Sequence, residues 1–427
     1  MTDVLVVGAA AGGIATAEAL RRRGFTGPIT ILGAEPHLPY DRPPLSKQVL
    51  AGEWEPERAR LRPVDATLYP DDPAVAFDAA SHRVTTAAGR IFQADSVVLA
   101  TGAHPRRLPG ALDAYALRSL DDALSLRAAL VGGRRLVVVG DGVLGTEIAA
   151  TAAKLGADVT LAGPQPAPMR LQLGPVVSGL LAGLHTRGGV RLRLGSGVTG
   201  CAPAGVAGLD GPPPAGAVPD AGPAGPPAFA VTLASGELLP ADVVVVAFGA
   251  APATDWLAGS GLTVDDGVVC DEQCRAADGV WAVGDVARWW HAGLGASVRL
   301  ENRTNAVEQA DAVAANILGA ARAYTPVPYF WTEQFDARIH VYGVPGPEAE
   351  FDVVEGDPAA GRFVGVYHRA GRPVGVLGWN MPKQARLRKS VLSFDKSVLS
   401  FEEGKNDDDL SDDQGGGLPV RSAARAG

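Results

Sequence analysis

Two glycine-rich turns carry the first chemical signal. Gly8-Ala9-Ala10-Ala11-Gly12-Gly13 follows a short apolar strand, Asp3 to Val7, and precedes an Ala-rich helical segment ending at Arg23. Gly140-Asp141-Gly142-Val143-Leu144-Gly145 follows Leu136 to Val139 and precedes a helix expected over Thr146 to Leu155. A strand, a glycine turn and a helix in this order suit a dinucleotide. The first glycine makes the tight turn, the second lets the backbone approach the pyrophosphate, and the third lets the helix pack against the strand. The phosphates then rest on a helix N-terminus, where unpaired N–H groups and the helix dipole favour negative charge. The second turn fits GxGxxG in full. In the first, Gly8 and Gly13 hold the outer positions while Ala10 stands at the second, with Gly12 compensating in part.

Carboxylates should follow such turns at a set distance. The strand Ile29 to Leu32 leads to Glu35, 22 residues past Gly13, a spacing that suits an acceptor for an adenosine ribose. The strand Asp158 to Leu161 ends instead in Ala162-Gly163-Pro164, with no carboxylate. No Arg cluster follows to hold a 2′-phosphate either; Arg170 is the nearest candidate. NADH is the expected donor, and NADPH stays open.

The elements that position these residues fit one plan. Gly8 and Gly140 are 132 residues apart, and 427 residues suffice for about two or three domains with real cores. One dinucleotide unit interrupts the other, which implies a flavoprotein with separate FAD and nicotinamide domains. The fold class is α/β, with two Rossmann-like dinucleotide-binding domains and a C-terminal α+β domain. The expected boundaries are 1–112 with 241–320 for the FAD unit, 113–240 for the nicotinamide unit, 321–393 for the C-terminal domain, and 394–427 for a disordered tail.

Composition excludes other classes. Residues 202–228 hold 8 Ala, 8 Pro and 6 Gly, too irregular for an apolar face, so they form a loop between the strand VTL at 231–233 and what precedes it. The tail repeats KSVLSF at 389–394 and 396–401, and 401–427 carries seven acids and three bases. That leaves -5 of the total formal charge of -9 on the first 400 residues. A net negative chain is a poor nucleic-acid binder. No apolar run is long enough to span a membrane, and the first residues lack a signal-peptide pattern, so a cytoplasmic protein is expected. Three cysteines, at 201, 270 and 274, do not make a disulfide framework.

A specific resemblance follows from PYDRPPLSK at 39–47, LATGAHPRRLPG at 99–110, LRSLDDA at 117–123, GDGVLGTEIAA at 140–150, GVWAVGDVARW at 279–289 and PYFWTEQFD at 328–336. In this order the segments resemble the FAD-dependent ferredoxin reductases of the putidaredoxin reductase and rhodocoxin reductase type. The resemblance implies FAD on Gly8, Gly12 and Gly13, with Glu35 at the ribose and Arg42, Lys47, Thr101, Gly102 and Arg118 around the flavin nucleotide. It implies Gly284 and Asp285 at the ribityl chain, and the backbone from Glu301 to Arg303 at the flavin ring. It implies Gly140, Gly142 and Gly145 under the nicotinamide nucleotide, and Trp331 beside flavin and nicotinamide. The implied activity is hydride transfer from NAD(P)H to FAD, then single electrons to a two-iron ferredoxin. That ferredoxin would supply a haem-thiolate monooxygenase or a ring-hydroxylating dioxygenase.

The residues read on their own agree. Segment 34–60 contains no cysteine, whereas a disulfide reductase needs a dithiol beside its flavin. Electrons must leave toward something else. Glu147, in the opening of the second unit's helix, is within reach of Lys47, and two such groups are stable in a protein interior only as a pair. An acidic ferredoxin needs local positive charge, for which Arg58, Arg60 and Arg62, or Lys383, Arg386, Arg388 and Lys389, are candidates. Two alternatives stay open: an NADH oxidase or small-molecule reductase, and a redox-responsive flavoprotein resembling the apoptosis-inducing factors.

Overall fold

The structure is a computed structural model that describes residues 2–108, 114–205 and 226–392. Most of the Pro/Gly/Ala-rich loop and the whole tail from 393 lie outside the described residues. Among the described residues no helix is long and apolar enough to cross a membrane.

Val4–Val7 is apolar at every position, so it must be covered on both faces, as in the middle of a parallel sheet. It lies between Ile29–Leu32 and Ser96–Leu99, parallel to both, and Val280–Ala282 extends the sheet beyond Ser96–Leu99. The helices Ala11–Arg22 and Arg303–Ile317 pack on one another beside it. Sequence-distant strands thus complete the first dinucleotide unit.

The second sheet runs Arg191–Leu194, Asp158–Gly163, Arg135–Val139, Val243–Val246 and Tyr115–Ala116, all parallel. Here the structure corrects a boundary. Val243–Val246 pairs with Leu136–Val139, so a division between 240 and 241 would cut through this sheet; the nicotinamide unit continues through Val246. Four buried valines in a row specify a central parallel strand but not which sheet receives it. The helix that follows the second glycine turn starts at Val143, three residues before the expected Thr146.

Chain passes between the two units twice, in Ala103–Pro105 and Ala250–Pro252, and these two passages pair antiparallel with each other. The C-terminal domain is a five-stranded antiparallel sheet in the order Tyr329–Gln334, Ala337–Gly343, Arg372–Trp379, Arg362–Arg369, Glu350–Asp357, with the short helix Pro382–Arg388 beside it. Its core residues Ile339, Phe363, Tyr367 and Leu377 share one cluster with Leu173, Val177 and Leu181 of the helix Arg170–Arg187. The C-terminal sheet is therefore fixed onto the nicotinamide unit.

Candidate functional site

The first glycine turn is sterically closed to other residues. A Cβ on Gly13 would lie 1.9 Å from the Gly8 carbonyl oxygen, and one on Gly8 would lie 2.2 Å from that of Ala100. The helix start therefore seats directly on the turn and leaves its backbone bare, which is what a pyrophosphate requires.

Beyond the strand, Glu35 is held from two sides. The Tyr40 hydroxyl donates to one carboxylate oxygen, and Arg42 Nη2 donates to the other at 2.7 Å. Arg42 Nη1 also donates to the Arg118 carbonyl at 2.5 Å, and Arg118 Nη2 donates to Asp285 Oδ2 at 2.8 Å. The position of Arg118 is set locally. Ser119 caps the helix Leu120–Ala129, and the Asp122 carboxylate accepts from the Arg118 and Ser119 N–H groups at 2.9 and 2.7 Å. Gly284 N–H donates to Gln309 Oε1 at 2.8 Å, which fixes the turn that carries Asp285. Thr101 donates to the Ala253 carbonyl at 2.9 Å, next to Gly102 in its left-handed conformation with φ of 73°. Glu301 accepts from Arg299 at 2.6 Å, while the Arg303 side chain turns to Asp41 at 2.5 Å. Bare glycine backbone, a fixed strand-end carboxylate and a second carboxylate on a helical turn together fit an FAD.

The second turn repeats the first. A Cβ on Gly145 would lie 1.9 Å from the Gly140 carbonyl oxygen, and one on Gly140 would lie 2.4 Å from that of Ala247; above Gly142 there is open space. Arg170 is directed elsewhere, donating to the Pro347 carbonyl in the C-terminal domain.

Between the turns lies a buried joint of all three domains. Lys47, from the wide turn Leu45–Val49, meets Glu147, from the helix Val143–Lys154, at 2.7 Å, with the two residues only 8% and 5% exposed. The Ser46 hydroxyl donates to the same carboxylate oxygen at 2.6 Å, and the Thr332 hydroxyl donates to the other at 2.7 Å. Both oxygens are satisfied, as a buried charge requires. Lys47 Nζ also lies 5.1 Å from the centre of the Trp331 ring. Thr332 accepts from Gln334 Nε2 at 3.0 Å, which also donates to Thr146 at 2.8 Å, and Gln334 Oε1 pairs with His185 Nε2 at 2.7 Å. Burial holds the His185 imidazole below its ordinary range, so it is the neutral donor to Gln334.

The sequence pointed to Lys47, Glu147 and Trp331 but not to Ser46, Thr332, Gln334 or His185. Strand alternation was the available signal, because Thr332 and Gln334 face the opposite way to Trp331 in Tyr329–Gln334.

The thiols lie elsewhere. Burial pushes the Cys274 thiol up to about 12 and the Cys270 thiol well above its ordinary value. Both should resist a disulfide reagent at pH 8 in the folded protein and react only after denaturation, because the thiolate is the nucleophile. Titration with such a reagent checks this; immediate modification of both in the native protein would refute it.

Two copies of a dinucleotide turn around one buried joint define a two-nucleotide oxidoreductase. Residues 2–310 match the pyridine nucleotide-disulphide oxidoreductase family, and residues 329–410 match the reductase C-terminal domain. The chain belongs to this family and is an FAD-dependent oxidoreductase that uses a pyridine nucleotide. It is 34% identical to rhodocoxin reductase of Rhodococcus erythropolis over 96% of this chain and 93% of that one. It is 35% identical to the ferredoxin–NAD(+) reductase component of the anthranilate 1,2-dioxygenase system of Burkholderia cepacia, over 84% of this chain and 86% of that one. The crystal structure of the covalent putidaredoxin reductase–putidaredoxin complex matches with a TM-score of 0.81 at 31% identity, covering 92% of this chain and 93% of the other.

Proposed function

We propose that this chain takes a hydride from NADH and passes single electrons to a two-iron ferredoxin, which supplies a haem-thiolate monooxygenase or a ring-hydroxylating dioxygenase. The observation that carries the reading is the Lys47–Glu147 joint beside Trp331 in a segment without a thiol. A disulfide reductase would need a thiolate there to accept electrons. When bound, FAD supplies the conversion of a two-electron donor into a one-electron source.

The residues have distinct tasks in this reading. Gly8, Gly12 and Gly13 cradle the FAD phosphates, and Glu35, fixed by Arg42, takes the adenosine ribose. Asp285, fixed by Arg118, takes the ribityl chain. Thr101, Gly102 and the backbone from Glu301 to Arg303 line the flavin side, and Gly140, Gly142 and Gly145 hold the nicotinamide nucleotide. Lys47 presents a fixed positive charge whose direction is set by Glu147, and Trp331 excludes water from the same joint. None of these groups needs to act as a nucleophile or general base. The setting is the cytoplasm, where buried thiols such as Cys270 and Cys274 stay reduced.

The partner would dock by charge. Lys383, Arg386 and Lys389 are exposed around Leu387, which is 66% exposed, whereas Arg388 is paired with Glu355 at 3.2 Å. Arg60 is likewise paired, with Glu57 at 3.0 Å. The double variant Lys383→Glu/Arg386→Glu should lower ferredoxin reduction about tenfold at low salt and leave ferricyanide reduction within about twofold. Equal loss toward both acceptors would remove this docking surface. Stopped-flow mixing of the FAD protein with NADH, then with a two-iron ferredoxin, tests the whole reading: flavin bleaching followed by ferredoxin reduction is expected. A flavin that NADH does not bleach would end it.

A further inference from the structure

The two glycine turns correspond residue by residue. Gly8 N–H donates to the Leu32 carbonyl at 2.8 Å, and Gly140 N–H donates to the Ala162 carbonyl at 2.8 Å. Val7 stands opposite Leu32, and Val139 opposite Ala162, in the two parallel registers. Ala9 therefore corresponds to Asp141, Gly33 to Gly163, and Glu35 to Gln165. The acid has changed place. The first unit carries it past the strand end; the second carries it inside the glycine turn, with an amide at the Glu35 position.

Asp141 occupies the space that a strand-end side chain would enter. A Cβ added to Gly163 would lie 2.3 Å from Asp141 Oδ2 and 2.5 Å from its Cγ. Gln165 clamps the carboxylate by donating its N–H to Oδ2 at 2.8 Å and its Nε2 to Oδ1 at 2.6 Å. Gln165 Oε1 accepts from Leu171 N–H at 2.7 Å, which fixes the amide with its NH₂ toward Asp141. The Asp141 carbonyl accepts from Met169 N–H at 2.8 Å, so the backbone is pinned as well. Asp141 is only 4% exposed, and a charge so placed is weakly screened. The end of this strand is where a dinucleotide fold meets the adenosine 2′ position. Arg170, the cation that could have offset the charge, is committed to Pro347.

We propose that Asp141, clamped by Gln165, is the residue by which this chain selects NADH over NADPH. Its carboxylate tolerates a 2′-hydroxyl and repels a 2′-phosphate, a discrimination made by a repulsive element. The inference rests on the reading of the chain as a nicotinamide-dependent reductase, and it assigns that donor choice to the turn in place of the strand end.

The test uses the FAD-loaded protein and Asp141→Ala, which places in the second turn the residue type that the first turn has at Ala9. Two quantities are measured: kcat/KM for NADH and NADPH with ferricyanide, and calorimetric Kd values for adenosine 5′-monophosphate and adenosine 2′,5′-bisphosphate. The parent should prefer NADH. In the variant the NADH-to-NADPH ratio should fall at least tenfold and the bisphosphate should bind at least fivefold tighter, with the monophosphate changed less than twofold. If Asp141→Ala fails to retain FAD, Asp141→Asn, of nearly the same volume, gives the same readouts. A ratio and bisphosphate affinity unchanged within twofold in a folded variant, or a parent that prefers NADPH, overturns the inference. If neither nucleotide bleaches the flavin of the parent, the functional reading itself fails; bleaching by both with a ratio indifferent to residue 141 sinks this inference alone.

Discussion

Replacing Glu147 by leucine should destabilise the protein by about 3–5 kcal/mol, because it leaves the Lys47 ammonium buried without its counter-charge. The Ser46 and Thr332 hydroxyls lose their acceptor in the same step, and each unsatisfied buried group adds to the penalty. Thermal unfolding of the FAD-loaded protein reads the loss. A second variant separates charge from packing. Lys47→Met combined with Glu147→Leu removes both charges and should recover the part of the loss that comes from the unpaired ammonium, since a buried ion pair is often replaceable by apolar groups of similar size, while the Ser46 and Thr332 hydroxyls still lack their acceptor. The double variant should nevertheless be slow in NADH oxidation, because the fixed charge at the joint is gone. A Glu147→Leu protein as stable as its parent would contradict the description of this joint.

Gly145→Ala should separate the two nucleotide units functionally. The added methyl would sit 1.9 Å from the Gly140 carbonyl oxygen, so the helix Val143–Lys154 must move away from its strand and the turn cannot keep its shape. Misplacement on the order of 1 Å in a binding turn costs on the order of 100-fold in rate. Flavin reduction by NADH should fall by about that factor, while the yellow colour and reduction by dithionite persist, since Gly8 and Gly13 belong to the other unit. Gly13→Ala, with the same 1.9 Å clash against Gly8, should instead yield protein without flavin. Loss of flavin in both variants would show that the two turns are not independent.

The glycine turns were legible because their requirement is local. Each needs a strand, a few bare positions and a helix within about 20 residues, and no distant partner decides it. The two-unit α/β plan could be read for the same reason, whereas the C-terminal domain was legible only through the resemblance carried by PYFWTEQFD at 328–336. What could not be read depends on partners remote in sequence. Nothing in the run Val243–Val246 says that it pairs with Leu136–Val139 and not with the first sheet. Thr332 and Gln334 look like ordinary polar positions of a half-exposed strand until the C-terminal sheet sets them against Thr146, Glu147 and His185. Asp141 is the sharpest case. The missing strand-end acid was visible, but its replacement required knowing that a turn residue 22 positions before Gly163 lies against the strand end there.

The paired passages Ala103–Pro105 and Ala250–Pro252 have a further consequence. A stretch of chain that leaves and returns through two neighbouring, hydrogen-bonded segments has its ends side by side, so exchanging it breaks the backbone at only two nearby points. The nicotinamide unit is in this sense a cartridge. Donor preference, written into its glycine turn, could be exchanged among flavoproteins of this build as one block, provided the host matches the contacts the block makes outside itself: Arg118 to Asp285, Glu147 to Lys47 and Thr332, and the helix Arg170–Arg187 to the C-terminal sheet.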